Sequence, residues 1–179
     1  MAKKTLFLDR DGVINRRVVC DYVRSVEQFE FLPGVLEALK RLSHRFDYIF
    51  IITNQQGIGK GVFSTTDLES IHQYLIETVK QNGGRIDKIY FCPDLVAENS
   101  NNRKPNPGMG LQALQDYPDI NLSSAIMVGD SLSDMQFGNN LGVKTVFLIN
   151  SEPLDKKVNQ LSDQVFMDLS DFAFHSSLV

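Results

Sequence analysis

At 179 residues, 42% hydrophobic and 22% charged, the chain is long enough to bury one substantial core and has the balance of an ordinary globular protein. A net charge of -4 with no dense Lys/Arg block argues against a nucleic-acid binder, and no apolar run approaches the length that crosses a membrane. Cys20 and Cys92 form no C-x-x-C pair, so reduced thiols are expected, with neither a disulfide framework nor a redox motif.

The first four residues are basic and precede an apolar run at residues 5–8. That run is too short for a signal peptide and Asp9 ends it, so a cytoplasmic protein with one domain over residues 1-179 is expected. The same run is the first predicted strand. A helix follows over 33–42, with Val35, Leu36, Leu39 and Leu42 at helical spacing and Pro33 in the first turn. Residues 48–53 (YIFIIT) are β-branched and aromatic throughout, the pattern of a strand buried on both faces. A second helix is predicted over 66–81, capped by Ser64 or Thr66 and stopped by Asn82-Gly83-Gly84.

The alternation then repeats, with a strand at 88–92, a helix at 108–117 after Pro107 and a strand at 125–128. A short helix at 134–141, capped by Ser133 and closed by Gly142, leads to a strand at 145–149, and 164–167 adds an edge strand. Residues 97–106 read as a loop. Strands alternating with helices predict an α/β, doubly wound, mainly parallel, Rossmann-like sheet with helices on both faces.

Such sheets bind ligands beyond the carboxyl ends of their strands. Polar clusters follow four of the predicted strands: Asp9-Arg10-Asp11-Gly12, Thr53-Asn54-Gln55-Gln56-Gly57, Arg103-Lys104-Pro105 and Gly129-Asp130-Ser131. An isolated D-x-D-G is more often a turn than a metal site. Beside a bound magnesium ion, however, one such carboxylate can attack phosphorus while the second protonates the leaving alkoxide. Thr53 and the amides after it can hold phosphate oxygens. Lys104 can serve nucleophile and phosphoryl group together, and the Arg103 guanidinium suits a second anion. Asp130 can complete a hard-oxygen magnesium shell with Asp9 and a backbone carbonyl, and Asp134 reads as a first-turn helix charge able to orient Lys104. The glycines around Lys60 do not match the nucleotide-binding P-loop spacing.

These four clusters resemble the signatures of the haloacid dehalogenase superfamily of phosphotransferases. The resemblance implies Asp9 as nucleophile, Asp11 as acid/base, Thr53 and Lys104 as phosphoryl stabilisers, and Asp9, Asp130 and the Asp11 carbonyl as ligands for magnesium (Mg2+). FLDRDGVIN, Asp21-Tyr22-Val23, FEFLPGV, TNQQGIGKGVF and RKPNPGM are similar to the D-glycero-D-manno-heptose 1,7-bisphosphate 7-phosphatase branch, with histidinol-phosphate phosphatases as near relatives. The branch implies no large cap domain, removal of the 7-phosphate of the heptose, and substrate contacts from Asp21, Tyr22, Asn54, Gln55, Gln56 and Arg103. Its members commonly carry a zinc loop, whereas Ser100 and Asn102 stand here where the later cysteine pair would be. One thiolate cannot make a four-coordinate site, so no structural zinc is expected. His44, His72 and His175 are expected at the surface.

The expected partner is a small phosphorylated metabolite, without nucleic acid or membrane, acted on by a monomer. Histidinol phosphate is the alternative substrate, and a polynucleotide 3′-phosphatase fits the acidic balance poorly. A non-catalytic phosphate-binding module would have no need of both Asp9 and Asp11.

Overall fold

In the computed structural model, which describes residues 3–150 and 155–178, strands and helices alternate almost throughout. The strands are β1 (Lys3–Leu8), β2 (Tyr48–Asn54), β3 (Lys88–Cys92), β4 (Ile120–Gly129), β5 (Lys144–Leu148) and β6 (Gln164–Phe166). The helices are α1 (Val35–Ser43), α2 (Thr65–Gln81), α3 (Gly108–Asp116), α4 (Leu132–Leu141), α5 (Lys156–Leu161) and α6 (Leu169–His175). All strand pairs are parallel, in the order β3-β2-β1-β4-β5-β6. Met1 and Ala2, half of the basic N-terminal stretch, lie outside the described residues. Among the described residues, no helix is long and apolar enough to cross a membrane.

Side chains alternate across the central strand, which explains its unbroken apolar run. Leu6 and Leu8 join Ile49, Ile51, Ile126 and Val128 under α1, α2 and α6. Phe7 faces the other way and joins Phe50, Ile52 and Met127 under α3 and α4. Covering both faces leaves no solvated side on which polar alternation could appear.

The chain builds outward from β1 to β3, then returns to the far side of β1 with β4. The carboxyl ends of β1 and β4 therefore flank the point where strand order reverses, and that crevice is where such sheets bind ligands. Register aligns Leu8 with Ile51 and with Val128, so the residues after these positions emerge together.

Several boundaries differ from the sequence expectation for identifiable reasons. Strand β4 begins five residues early, at Ile120, because its polar lead-in pairs with Lys3 across a register shift and Ser124 donates to the Lys3 carbonyl. Helix α4 starts at Leu132, and its N-cap is Ser131, not Ser133. The Ser131 amide and hydroxyl both donate to Asp134 Oδ2, at 3.0 and 2.6 Å. Helices α5 and α6 were not anticipated. They have only six and seven residues, too few for periodicity to declare itself, yet Leu169, Phe172 and Ala173 of α6 are buried in the core cluster shared with α1. For α2, Ser64 is the cap and makes a reciprocal box with Asp67.

Gly138 is where α4 lies closest to the sheet. A Cβ there would stand 2.4 Å from Thr145 Cγ2 and 3.1 Å from Met127 Cβ. Thr145 cannot rotate away freely, since its hydroxyl donates to the Leu161 carbonyl at 2.7 Å. Alanine would add about 1 kcal/mol of helix propensity but incur about 1–3 kcal/mol of overpacking. Gly138→Ala should therefore lower the denaturant midpoint, by a net loss of about 1 kcal/mol; a raised midpoint would show that α4 can slide outward.

Candidate active site

The β1 backbone carries its pairing one residue past the strand, with the Asp9 amide donating to the Val128 carbonyl at 3.0 Å. Asp9 is thereby fixed at the rim, 5% exposed. The chain then turns sharply at Gly12, whose φ is +95°. Any side chain there would also meet Asp130, since a Cβ would lie 1.9 Å from Asp130 Oδ2. Glycine thus permits both the turn and the approach of the second carboxylate.

Lys104 is the hub. The residue is 4% exposed, and its ammonium donates to Asp9 Oδ1 at 2.8 Å, Asp134 Oδ1 at 2.6 Å and the Ile52 carbonyl at 2.8 Å. Its backbone is held as firmly: the Lys104 amide donates to Asn54 Oδ1 at 3.0 Å and its carbonyl accepts from Asn54 Nδ2 at 3.1 Å. Burial works against the charge on Lys104, but Asp134 and Asp9 outweigh it and raise the ammonium to about 12. Asp134 is fully buried and divides its oxygens between Lys104 and the Ser131 cap.

Asp9, Asp130 and Asp134 each bring an oxygen within 4.8 Å of the others. Burial pushes both Asp9 and Asp130 upward from the usual carboxylate range, and mutual repulsion adds to it. Such a cluster attracts positive charge. Beside it, Arg17 Nη2 donates to Asp130 Oδ1 at 2.7 Å and to the Asp11 carbonyl at 2.9 Å.

Asp11 is held differently. Its carboxylate accepts from Arg10 Nη2 at 2.9 and 3.0 Å, Asn15 Nδ2 at 2.9 Å and Gln55 Nε2 at 2.9 Å. Although burial opposes its ionisation, the Arg10 charge and these hydrogen bonds prevail and hold it below the usual range. Gln55 Nε2 also donates to Thr53 Oγ1 at 2.8 Å, leaving the Thr53 proton free for another acceptor.

A cleft of about 460 Å³ opens over these groups. Asp9, Asp11, Thr53 and Lys104 line it, together with Asp21, Tyr22, Asn54, Gln55 and Gln56. Arg103 does not line it; its Nη1 donates to the Asp94 carbonyl at 3.1 Å. Asp130 lines the neighbouring cavity as well, at the edge of the same carboxylate cluster, and is bonded there by Arg17. Asp21 is paired with Arg24, and Lys60 lies 5.7 Å above the Tyr22 ring. Cys92 is buried and donates its thiol proton to Asp94 Oδ2 at 3.4 Å.

Sequence reasoning did not single out Arg10, Asn15 or Arg17. Their one signal was proximity to the D-x-D pair, which does not say which way a side chain points. His72 corrects an expectation: His44 and His175 are exposed, but His72 is 8% exposed and stands against Arg10, with its Nε2 3.3 Å from Arg10 Nη1. A guanidinium only donates, so Nε2 accepts and the ring is neutral. Its face of α2, with Leu68, Ile71 and Leu75, packs inward.

A family model described as HAD-hydrolase-like matches residues 101–172. The D-glycero-alpha-D-manno-heptose-1,7-bisphosphate 7-phosphatase of Mycobacterium bovis is 41% identical over 168 residues, covering 94% of this chain and 88% of that protein. The D-glycero-beta-D-manno-heptose-1,7-bisphosphate 7-phosphatase of Helicobacter pylori is 39% identical over 169 residues, covering 94% and 96%. The D,D-heptose 1,7-bisphosphate phosphatase from B. bronchiseptica, solved with magnesium and phosphate, superposes with a TM-score of 0.82 at 32% identity, covering 95% and 96%. Fold and site define a haloacid dehalogenase-like hydrolase, and the chain belongs to the heptose-1,7-bisphosphate phosphatase family within that class.

The neutral His72 has a consequence for stability. Burial, reinforced by the Arg10 charge, lowers its pKa to about 3 from an ordinary 6.5. Between those values the unfolded chain binds a proton that the folded chain refuses, so stability falls as pH drops from about 6.5 towards 3. The slope is about 1.4 kcal/mol per pH unit. His72→Gln retains an acceptor for Arg10 and removes the titration. From pH 7 to pH 4.5, wild type should lose about 2.5 kcal/mol more than the variant in denaturant titrations. Equal losses would mean that His72 charges in the folded state.

Proposed function

We propose that the chain is a magnesium-dependent phosphatase that removes the 7-phosphate of D-glycero-D-manno-heptose 1,7-bisphosphate through a phospho-aspartate intermediate. The observation that carries the reading is the placement of Asp9. It lines the cleft with one oxygen held by Lys104 and the other 3.7 Å from Arg17 Nη2, and it has an oxygen within 4.8 Å of oxygens of Asp130 and Asp134. The chain's 41% identity to a phosphatase of this name over 94% of its length supports the substrate class. Relatives named for either anomer are similar, so the test uses both.

The donor set fits magnesium: carboxylate oxygens of Asp9 and Asp130 and the Asp11 carbonyl are hard ligands. When bound, the ion would neutralise phosphate charge and so admit an anionic nucleophile. The remaining work falls to side chains. Asp9 attacks phosphorus, forming an acyl phosphate as the bond to the sugar oxygen breaks. The Thr53 hydroxyl, its oxygen already fixed by Gln55, donates to a phosphoryl oxygen, and Lys104 holds the charge that accumulates. Asp11 protonates the departing alkoxide and later takes a proton from the water that cleaves the acyl phosphate. An arriving phosphoryl group raises the pKa of Asp11 towards the value an acid requires. Asp21, Tyr22, Asn54 and Gln56 contact the sugar. The same reading assigns no zinc to the Cys92 segment, and a cytoplasmic monomer that needs neither nucleic acid nor membrane.

Asp9→Asn preserves shape and removes the attacking charge. Turnover of the heptose bisphosphate should fall by roughly a thousandfold or more, with the circular dichroism spectrum and unfolding curve retained. A folded variant with near-normal phosphate release, or a wild type that prefers histidinol phosphate or a 3′-phosphorylated oligonucleotide, would overturn the reading.

The role of Asp11 is tested by the leaving group. Nitrophenolate departs without a proton, whereas a sugar alkoxide needs one. Asp11→Asn should slow heptose bisphosphate cleavage by about a hundredfold to ten-thousandfold and the single-turnover nitrophenolate burst far less. Equal losses on the two substrates would assign Asp11 to placement of the metal or to folding.

A further inference from the structure

Arg17 has no part in the chemistry above, yet its head group stands among the oxygens assigned to the metal. Nη2 lies 2.7 Å from Asp130 Oδ1, 2.9 Å from the Asp11 carbonyl and 3.7 Å from Asp9 Oδ2, and Nε lies 3.2 Å from the same carbonyl. We propose that Arg17 is a tethered counter-cation that competes with the divalent metal for this oxygen set and swings out when the metal binds. The inference rests on the reading of Asp9, Asp11 and Asp130 as metal ligands.

The two cations of the cluster are built for different purposes. Lys104 is 4% exposed, and all three of its protons are committed to Asp9, Asp134 and the Ile52 carbonyl. Arg17 has a side chain 48% exposed and reaches in from the surface. Its neighbour Arg16 is fixed, with its amide donating to the Glu30 carbonyl at 2.8 Å and its guanidinium paired with the Glu30 carboxylate. From Arg17 to Asp21 every residue is exposed. The arm therefore has a fixed root and a solvent-exposed length on which the head group can turn outward.

Charge decides the competition. With the three carboxylates ionised, as metal ligation requires, Asp9, Asp130 and Asp134 set three negative charges against the one positive charge of Lys104, leaving two negative among these four groups. Arg17 offsets one of them, whereas a divalent ion offsets both and bonds the oxygens at shorter range. The guanidinium therefore screens the repulsion between the carboxylates, yet yields to the metal at a cost in affinity.

The test measures Mn2+ binding to the full chain by the paramagnetic resonance signal of the free ion, for wild type, Arg17→Gln and Asp130→Asn. Arg17→Gln should bind about tenfold more tightly, a difference of about 1.4 kcal/mol. In chelator the same variant should melt below wild type, and in saturating magnesium the two should melt together. Equal or weaker Mn2+ binding by Arg17→Gln, with Asp130→Asn impaired, would overturn the competition and leave the metal reading intact. Unimpaired binding by Asp130→Asn, or none by wild type, would overturn both.

Discussion

An ammonium group withdrawn from water must be surrounded by acceptors, because an unpaired buried charge costs more than most folds can spare. In this protein that group is Lys104, and its three partners come from different parts of the sheet: Asp9 follows β1, Ile52 lies within β2, and Asp134 opens α4. The strand ends and the helix must meet at one point for the ammonium to be satisfied. Asp134 in turn needs the Ser131 cap, and Gly129 must lack a side chain, since a Cβ there would stand 2.2 Å from Asp134 Cβ. Structural integrity and the arrangement of the site are thus one requirement.

Asp9 and Asp11 are two residues apart and serve opposite electrostatic ends. Asp9 shares its cluster with two further carboxylates and is pushed towards protonation. Asp11 turns to the other side of the strand end, where Arg10, Asn15 and Gln55 stabilise its charge. Separate environments let neighbouring carboxylates take separate tasks. Arg10 makes this division possible. It is 1% exposed, bound to Asp11 on one side and to a neutral imidazole on the other, so the fold keeps a cation inside without a second anion to match it.

Much of this was legible in the sequence because parallel α/β folds write their features locally. The apolar runs marked β1 and β2, and the polar residue types after each strand marked the rim. Asp9, Thr53, Lys104 and Asp130 could be grouped in advance because strand ends in such sheets share one edge. Direction was not legible. Nothing in the sequence told whether Arg17 pointed to solvent or towards Asp130, or that Arg103 turned to the Asp94 carbonyl and away from the cleft. His72 was misplaced because a single histidine on an amphipathic helix is ordinarily solvated; its burial depends on Arg10, 62 positions away. The short α5 and α6 are set by capping at Asp155 and Asp168 and by packing, not by periodicity.

The side chain of Asn54 behaves like one more residue of backbone. Its amide exchanges a donor and an acceptor with the main chain of Lys104, extending the edge of β2 onto the following loop. By this rung the main chain of the lysine is tied directly to the sheet as well as to the loop that precedes it. The ammonium is therefore placed from the sheet edge outward, by a contact that no side chain of the preceding loop has to make.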